Sequence, residues 1–381
     1  MKSKLKILIF IMAIAMSGFV ACSEDDNEDD DSCTTSTWYQ DADGDGLGNP
    51  DVSQEACDQP EGYVLDNTDS DDDDTASGST YTGTASVTQG PATTTTENLF
   101  PDGIRIAGVG SIEATDGTTW TVPAEVNFTD DTFPFSSDLH NTYGNVYDNA
   151  TDAINALDGS DIIEIDSDGE VITAYIFADN YFEMYVNGVA VGKDAVPFTE
   201  FNSSIVRFRV TAPYTVAMKL VDWEENLGLG SENNSGFDYH PGDGGMVAVF
   251  KDESDATVAI TGSDWKAQTF YTAPIKDLTC VTEDATTNAR LSDNCDEEDS
   301  ADGTSYYGLH WETPSDWYEE GFDDSAWPDA TTYTNETIGV DNKPSYTNFT
   351  DIFDDASNDA QFIWSTNVVL DNLVLVRYTV E

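Results

Sequence analysis

From residue 100 to the end of the sequence, short apolar runs alternate with clusters of Gly, Asn, Asp and Pro. The runs fall at residues 104–109, 162–165, 171–177, 181–186, 205–210, 215–221, 246–250 and 373–378. They are rich in Val, Ile, Tyr and Phe, whose branched or flat side chains fit a pleated surface, so each is predicted to be a strand. Apolar spacing of the helical kind occurs only at 150–157. Many short strands separated by turn residues predict an all-β body, an antiparallel sandwich over residues 101–381. At about 280 residues, this stretch is long enough to enclose a substantial core. Residues 76–100 are rich in Thr, Ser and Gly and contain Pro91, which predicts a linker with one strand at 81–87.

The N-terminus follows a different pattern. Lys2, Lys4 and Lys6 accompany an apolar run at 5–20, which ends in Gly18-Phe19-Val20-Ala21-Cys22. A charged start, an apolar middle and small residues at the end predict a secretory signal over 1–22, not a membrane span. Seven of the ten residues at 23–32 are Asp or Glu, a block that cannot bury anything and predicts an extended acidic tether. The signal resembles that of bacterial lipoproteins, with Phe19 where Leu is usual, and the resemblance implies a membrane anchor through lipidated Cys22. Ordinary cleavage after Ala21 is the alternative. The tether resembles the acidic signal that sends some Gram-negative lipoproteins to the outer face of the outer membrane, which implies a surface location; a plain spacer is the alternative.

Residues 38–48 read Trp-Tyr-Gln-Asp-Ala-Asp-Gly-Asp-Gly-Leu-Gly. Asp41, Asp43 and Asp45 stand at alternate positions, and Leu47 could add its carbonyl, while Gly44 and Gly46 permit the sharp turn that wrapping a cation demands. Hard oxygen ligands suit calcium. The twelfth position of such a loop is ordinarily Glu but is Val52 here, so completion is expected from Asp69, Asp71 and Asp72. Together with Cys57-Asp58-Gln59-Pro60-Glu61-Gly62-Tyr63-Val64, the stretch resembles short metal-binding repeats akin to thrombospondin type 3 repeats, and it predicts a calcium-binding unit over 33–75. Some relatives carry a copper label, but no His lies near these oxygens. A merely acidic, solvated loop is the alternative. Ser70 stands where the repeat has Cys, and Cys33 just upstream is expected to replace it as the partner of Cys57. Once Cys22 is lipidated, Cys33, Cys57, Cys280 and Cys295 remain. Three pairings are possible, and Cys33 with Cys57 and Cys280 with Cys295 close the shortest loops.

Three elements of the body resemble the galactose-binding-like jelly roll: the hairpin of residues 178–192 turning at Asn187-Gly188, the Phe-Asp-Asp-Ser-Ala-Trp stretch at 322–327, and the strands at 361–365 and 375–380. The resemblance implies a jelly-roll fold. In that family the hairpin usually comes last, whereas here it comes first, so the order is similar to a circular permutation. The strand at 373–378 is then expected in the same sandwich as that at 171–177.

With 74 acidic against 14 basic residues, the formal charge is −60, which excludes nucleic acid as a partner and calls for cations or salt to screen the chain. Asp222-Trp223-Glu224-Glu225 places a Trp beside three carboxylates, a combination that could stack on a sugar ring and bond its hydroxyls. The alternative puts Trp223 in the core. Asp243, in a tight polar loop, could ligate a cation, and Trp265 offers a ligand platform if it is not core; the same holds for Trp311, Trp317 and Trp364. His140, His240 and His310 are scattered, and no zinc spacing, nucleophile elbow or phosphate loop is present. The expectation is a non-catalytic, calcium-binding surface lipoprotein that binds a glycan or another polymer. A glycoside hydrolase or lyase using Asp222, Glu224 or Glu225, and an adhesin or spacer contacting protein, stay open.

Overall fold

The computed structural model describes residues 35–42, 48–60, 62–65, 67, 81–198, 201–233, 239–297, 306–357 and 359–381, and the chain divides into two compact units, 1–77 and 78–381. In the first, strands Ser36–Gln40, Asn49–Ala56 and Tyr63–Val64 form an antiparallel sheet with Ser36–Gln40 in the middle. Pairing runs from Ser36 opposite Ala56 to Tyr39 opposite Ser53, then slips so that Gln40 meets Asn49. The Asp- and Gly-rich stretch is therefore the connection of a bulged hairpin. Trp38 Nε1 donates to the Ala56 carbonyl at 3.2 Å, and Asp41 N donates to the Gly62 carbonyl at 2.9 Å, which fixes the entrance to that connection.

The second unit is an antiparallel sandwich. One sheet runs, in spatial order, Thr331–Tyr333, Phe362–Trp364, Gly245–Lys251, Glu170–Asp179, Ser203–Val210 and Ser137–His140; Thr257–Ile260 and Ile162–Glu164 complete its eight strands. The other runs Val189–Lys193, Tyr181–Val186, Tyr214–Val221, Asp371–Val380, Lys266–Ile275, Tyr307–His310 and Ser86–Gln89. Alternation along each strand sends one set of side chains inward. Ile172, Ala174 and Ile176 meet Val216, Met218, Leu220, Val374 and Val376 in a common core, all at most 4% exposed. The strand Asp371–Val380 pairs along its length with Tyr214–Val221 and also with Lys266–Ile275. It belongs to the same sandwich as Glu170–Asp179, as the sequence order had implied.

At the turn between Tyr181–Val186 and Val189–Lys193, Asn187 and Gly188 have φ of 48° and 80°. Both central residues of a type I′ turn need positive φ, which Asn tolerates and Gly adopts freely. The one expected helix is present as Ala150–Ala156, capped by the Asn149 side chain, which accepts from Asp152 N.

Two expectations are corrected. Residues 81–100 are part of the sandwich unit rather than a linker: Ser86–Gln89 pairs with Tyr307–His310 at the sheet edge, and Thr93–Thr96 pairs with Val109–Glu113. Threonine is itself a good strand former, and that preference prevails over the low-complexity look of the segment. The run 104–109 is not a strand before Val109. Its pattern is inverted, with Ile104 and Ile106 at 66% and 64% exposure and Arg105 at 8%. Arg105 turns inward because it pairs with Glu232 and lies 3.7 Å from Glu225, with its guanidinium over the Phe198 ring. Among the described residues, no helix is long and apolar enough to cross a membrane.

Candidate functional site

The expected calcium ligands Asp43, Asp45, Leu47, Asp69, Asp71 and Asp72 lie outside the described residues, as do Cys22 and Cys33. Asp41 is placed at the hairpin end described above. Cys57 is disulfide-bonded. Cys280 and Cys295 form the expected bridge, with their Cα atoms 5.0 Å apart.

The stretch 222–230 follows Tyr214–Val221 and turns into the molecule. Trp223 is 1% exposed, donates from Nε1 to the Gly108 carbonyl at 2.9 Å and meets Tyr181 edge to face. Trp265 is 0% exposed, donates to the Ile260 carbonyl at 2.8 Å and stacks on Tyr378. Neither is the exposed platform that a sugar would need, because both indoles fill gaps between packed layers and satisfy their one donor on backbone. Trp364 is likewise in the core. Glu224 is buried, accepts from Gly228 N at 2.9 Å and from Tyr271 Oη at 3.2 Å, and also accepts from Gly230 N. Burial pushes its carboxyl up to about 7. It ties a loop to a strand, and its oxygens are taken up by those bonds although it borders a cavity of about 380 Å³ beside Arg105 and Glu225.

Asp222 and Asp243 do come together, in the company of two acids that the sequence did not single out. Asp179 ends its strand, with Gly245 opposite it, and Glu232 stands opposite His240 in a short two-stranded ladder. Asp222 is 3% exposed, and a Cβ at Gly242 would come within 2.9 Å of its Oδ2, so the loop's glycine is what lets backbone approach that carboxylate. Burial is the first cause that raises all four carboxyls, and their mutual repulsion adds to it, while Arg105, Lys343 and His240 work against it. Asp243 is pushed up to about 6, and Asp179 and Asp222 well above the usual range. Among the described residues, no group of three His, Cys, Asp or Glu is arranged to hold a metal ion.

The open cavity with aromatic walls lies elsewhere, on the outward face of the seven-stranded sheet. That face carries a cross-strand row of charge, because Glu183 stands opposite both Lys193 and Lys219. Lys193, 0% exposed, donates to the carbonyls of Asn127, Phe128 and Asp130 at 2.8, 2.9 and 2.8 Å. Lys219 donates to the Glu125 carbonyl at 2.7 Å and faces Glu183 at 3.4 Å. These bonds staple residues 125–130 over one part of the face. On another part, Arg377 donates from Nε to Asp324 at 2.8 Å and from its two other nitrogens to the carbonyls of Trp317 and Glu319, with its guanidinium 5.1 Å from the Phe322 ring centre. The Phe-Asp-Asp-Ser-Ala-Trp stretch is thereby explained as a cover clamped to the central strand.

Between the two covers lies a cleft of about 480 Å³. Lys219, Tyr271 and Leu373 form its floor, residues 119–125 one wall, and residues 310–317 the other. Three rings stack in series beside it. Tyr271 lies on His310 at 4.5 Å, and His310 lies on Trp120 at 5.3 Å, the last of these being half-buried and outermost. His310 also bonds Thr88 Oγ1 at 2.9 Å, and burial holds its pKa down to about 3, so the ring stays neutral and serves as a spacer. Trp311 and Trp317 border the second wall but are each only 4% exposed and are core residues, and Glu312 lies between them in sequence. Comparison with protein-family models, curated proteins and solved structures finds no match for this chain.

Trp120 carries no warning in the sequence, since Thr-Thr-Trp-Thr reads only as a strand. Its importance arises from a stack with residues 150 and 190 positions away, which no local pattern encodes.

Proposed function

We propose that this chain is a non-catalytic, calcium-dependent cell-surface lipoprotein whose β-sandwich binds a carbohydrate polymer. The observation that carries the reading is the cleft with Trp120 at its edge. A sugar ring offers a C–H face to an indole and hydroxyls to its surroundings, and Lys219, Glu312, Thr119 and Thr121 supply donors and acceptors around the aromatic walls. A hydrolase built on Asp222 and Glu224 is disfavoured by their burial and by the hydrogen bonds that occupy Glu224. In this reading, the sandwich is a jelly roll of the galactose-binding-like kind entered at a different point. The type I′ turn at Asn187-Gly188 and the central place of Asp371–Val380 support that. The lipid anchor at Cys22, the outer-membrane location and the calcium loop rest on the sequence patterns.

Trp120→Ala should weaken binding to a panel of immobilised polysaccharides at least tenfold, a typical loss for an interfacial Trp. Unchanged retention on every polysaccharide that the native protein binds would remove the cleft from consideration. For the loop, calorimetric titration of calcium should show binding that Asp43→Ala weakens markedly, since each carboxylate lost leaves the ion short of ligands. Equal affinity in that variant would show that the ligand set is misassigned.

A further inference from the structure

The outward face of the eight-stranded sheet holds a cavity of about 410 Å³ that the glycan cleft does not involve. Thr173 stands opposite Arg207 on one side and opposite Lys251 on the other, so all three project from the same face, and Val171 opposite Arg209 continues the pattern one step along. A chain with only 14 basic residues thus brings three of them to one cavity. Arg209 donates from Nη1 to the Gly169 carbonyl at 3.0 Å, while the carboxylates that face Arg209 and Lys251 are exposed. Arg209 lies 4.0 Å from Glu164 and 3.8 Å from Glu253, both 61% exposed, and Lys251 lies 3.1 Å from Asp255, which is 79% exposed. Pairs in that much water contribute little and can be exchanged. Arg207 is held more firmly, through Nη1 to Asp161 at 3.2 Å, yet its Nε is buried and has no acceptor among the described residues. Tyr175, 6% exposed, lines the same cavity.

We propose that this cavity binds the carboxylate group of an acidic ligand, held by Arg207, Lys251 and the hydroxyls of Thr173 and Tyr175. A planar carboxylate matches the guanidinium edge and would give the orphaned Nε its acceptor. The ligand should be singly charged, because Asp252, Glu253 and Asp255 at the rim repel a dianion more strongly than a monoanion. The carboxylate could arrive on a free organic acid or on a uronic acid residue of a polysaccharide.

Calorimetric titration of the full chain with glucuronate, an oligouronate, glucose and inorganic phosphate separates these cases. Saturable binding of glucuronate that weakens with added salt is expected, with none for glucose and weaker binding for phosphate. Tighter binding of the oligouronate assigns the site to a polymer, and equal binding assigns it to a free acid. Arg207→Gln should weaken glucuronate at least tenfold, and Lys251→Met and Tyr175→Phe should each weaken it several-fold; the latter two keep the test valid if the Arg207 variant is unstable. Absence of saturable glucuronate binding, equal binding of glucose, stronger binding of phosphate, or full affinity in the folded variants would each overturn the proposal. Trp120→Ala should leave this binding intact, which distinguishes its failure from that of the glycan cleft.

Discussion

In the presence of a chelator, the melting temperature of the sandwich should fall by on the order of 5–10 °C between pH 5 and pH 8, and Asp222→Asn should recover much of the loss. Burial raises the carboxyls of Asp243 and Asp371 to about 6 and those of Asp194 and Glu224 to about 7, with Asp179 and Asp222 well above their usual range. An unfolded chain releases these protons near pH 4, whereas the folded one keeps them until pH 6 or beyond. Across that interval the folded state binds more protons, so its stability is greatest below the unfolded values and declines as pH rises through the folded ones. Exposed carboxylates such as Asp116, Asp130 and Asp284 are lowered by hydrogen bonds and act in the opposite sense, losing stability as pH falls below about 4. The optimum should therefore lie near pH 4, where the two opposing sets of carboxyls change over. Thermal melts at fixed ionic strength decide the matter. A melting temperature that rises from pH 5 to pH 8 would mean that these carboxyls are ionised in the fold, and an Asp222→Asn variant less stable than native at pH 8 would mean that the charge is wanted there.

Arg377→Ala should cost about 2–3 kcal/mol, because a buried guanidinium that donates to a carboxylate and two carbonyls is lost. Arg377 is 2% exposed and serves Asp324 and the carbonyls of Trp317 and Glu319 at once. Its removal leaves the buried Trp317 carbonyl without its partner and frees the stretch that carries one wall of the aromatic cleft. Denaturant titration should show the loss, and hydrogen exchange should show residues 317–324 opening ahead of the rest. Arg377→Lys should restore only part of the stability, since an ammonium lacks the planar fork. A cost below about 1 kcal/mol with unchanged exchange would refute the clamp.

The strands with near-continuous apolar runs were legible because their burial on both sides leaves no ambiguity in the pattern. So was the Asn187-Gly188 turn, where local backbone preference and tertiary structure agree. Lys266–Ile275 escaped notice although it is just as buried, because Lys, Gln and two Thr dilute its apolar signal and Pro274 argues against a central strand. Ile104 and Ile106 misled for the converse reason, since an ion pair decided which way the segment faces. Of the expected binding residues, Asp222 and Asp243 did converge, yet Asp179 and Glu232 could be added only once strand register placed them opposite Gly245 and His240. Trp223 and Trp265 show the limit of composition. A Trp beside acids looks the same in sequence whether its face meets water or a packed sheet.

The central position of Asp371–Val380 bears on how the protein is made. Tyr214–Val221 and Lys266–Ile275 both take this strand as a neighbour, so each must wait for about 100 to 160 further residues of chain before its hydrogen bonds can close. During vectorial synthesis, no shorter piece of the body can complete the sheet, and folding is deferred until that segment has emerged. A body so arranged closes only after Asp371–Val380 has been made, and until then its two neighbours keep unpaired edges.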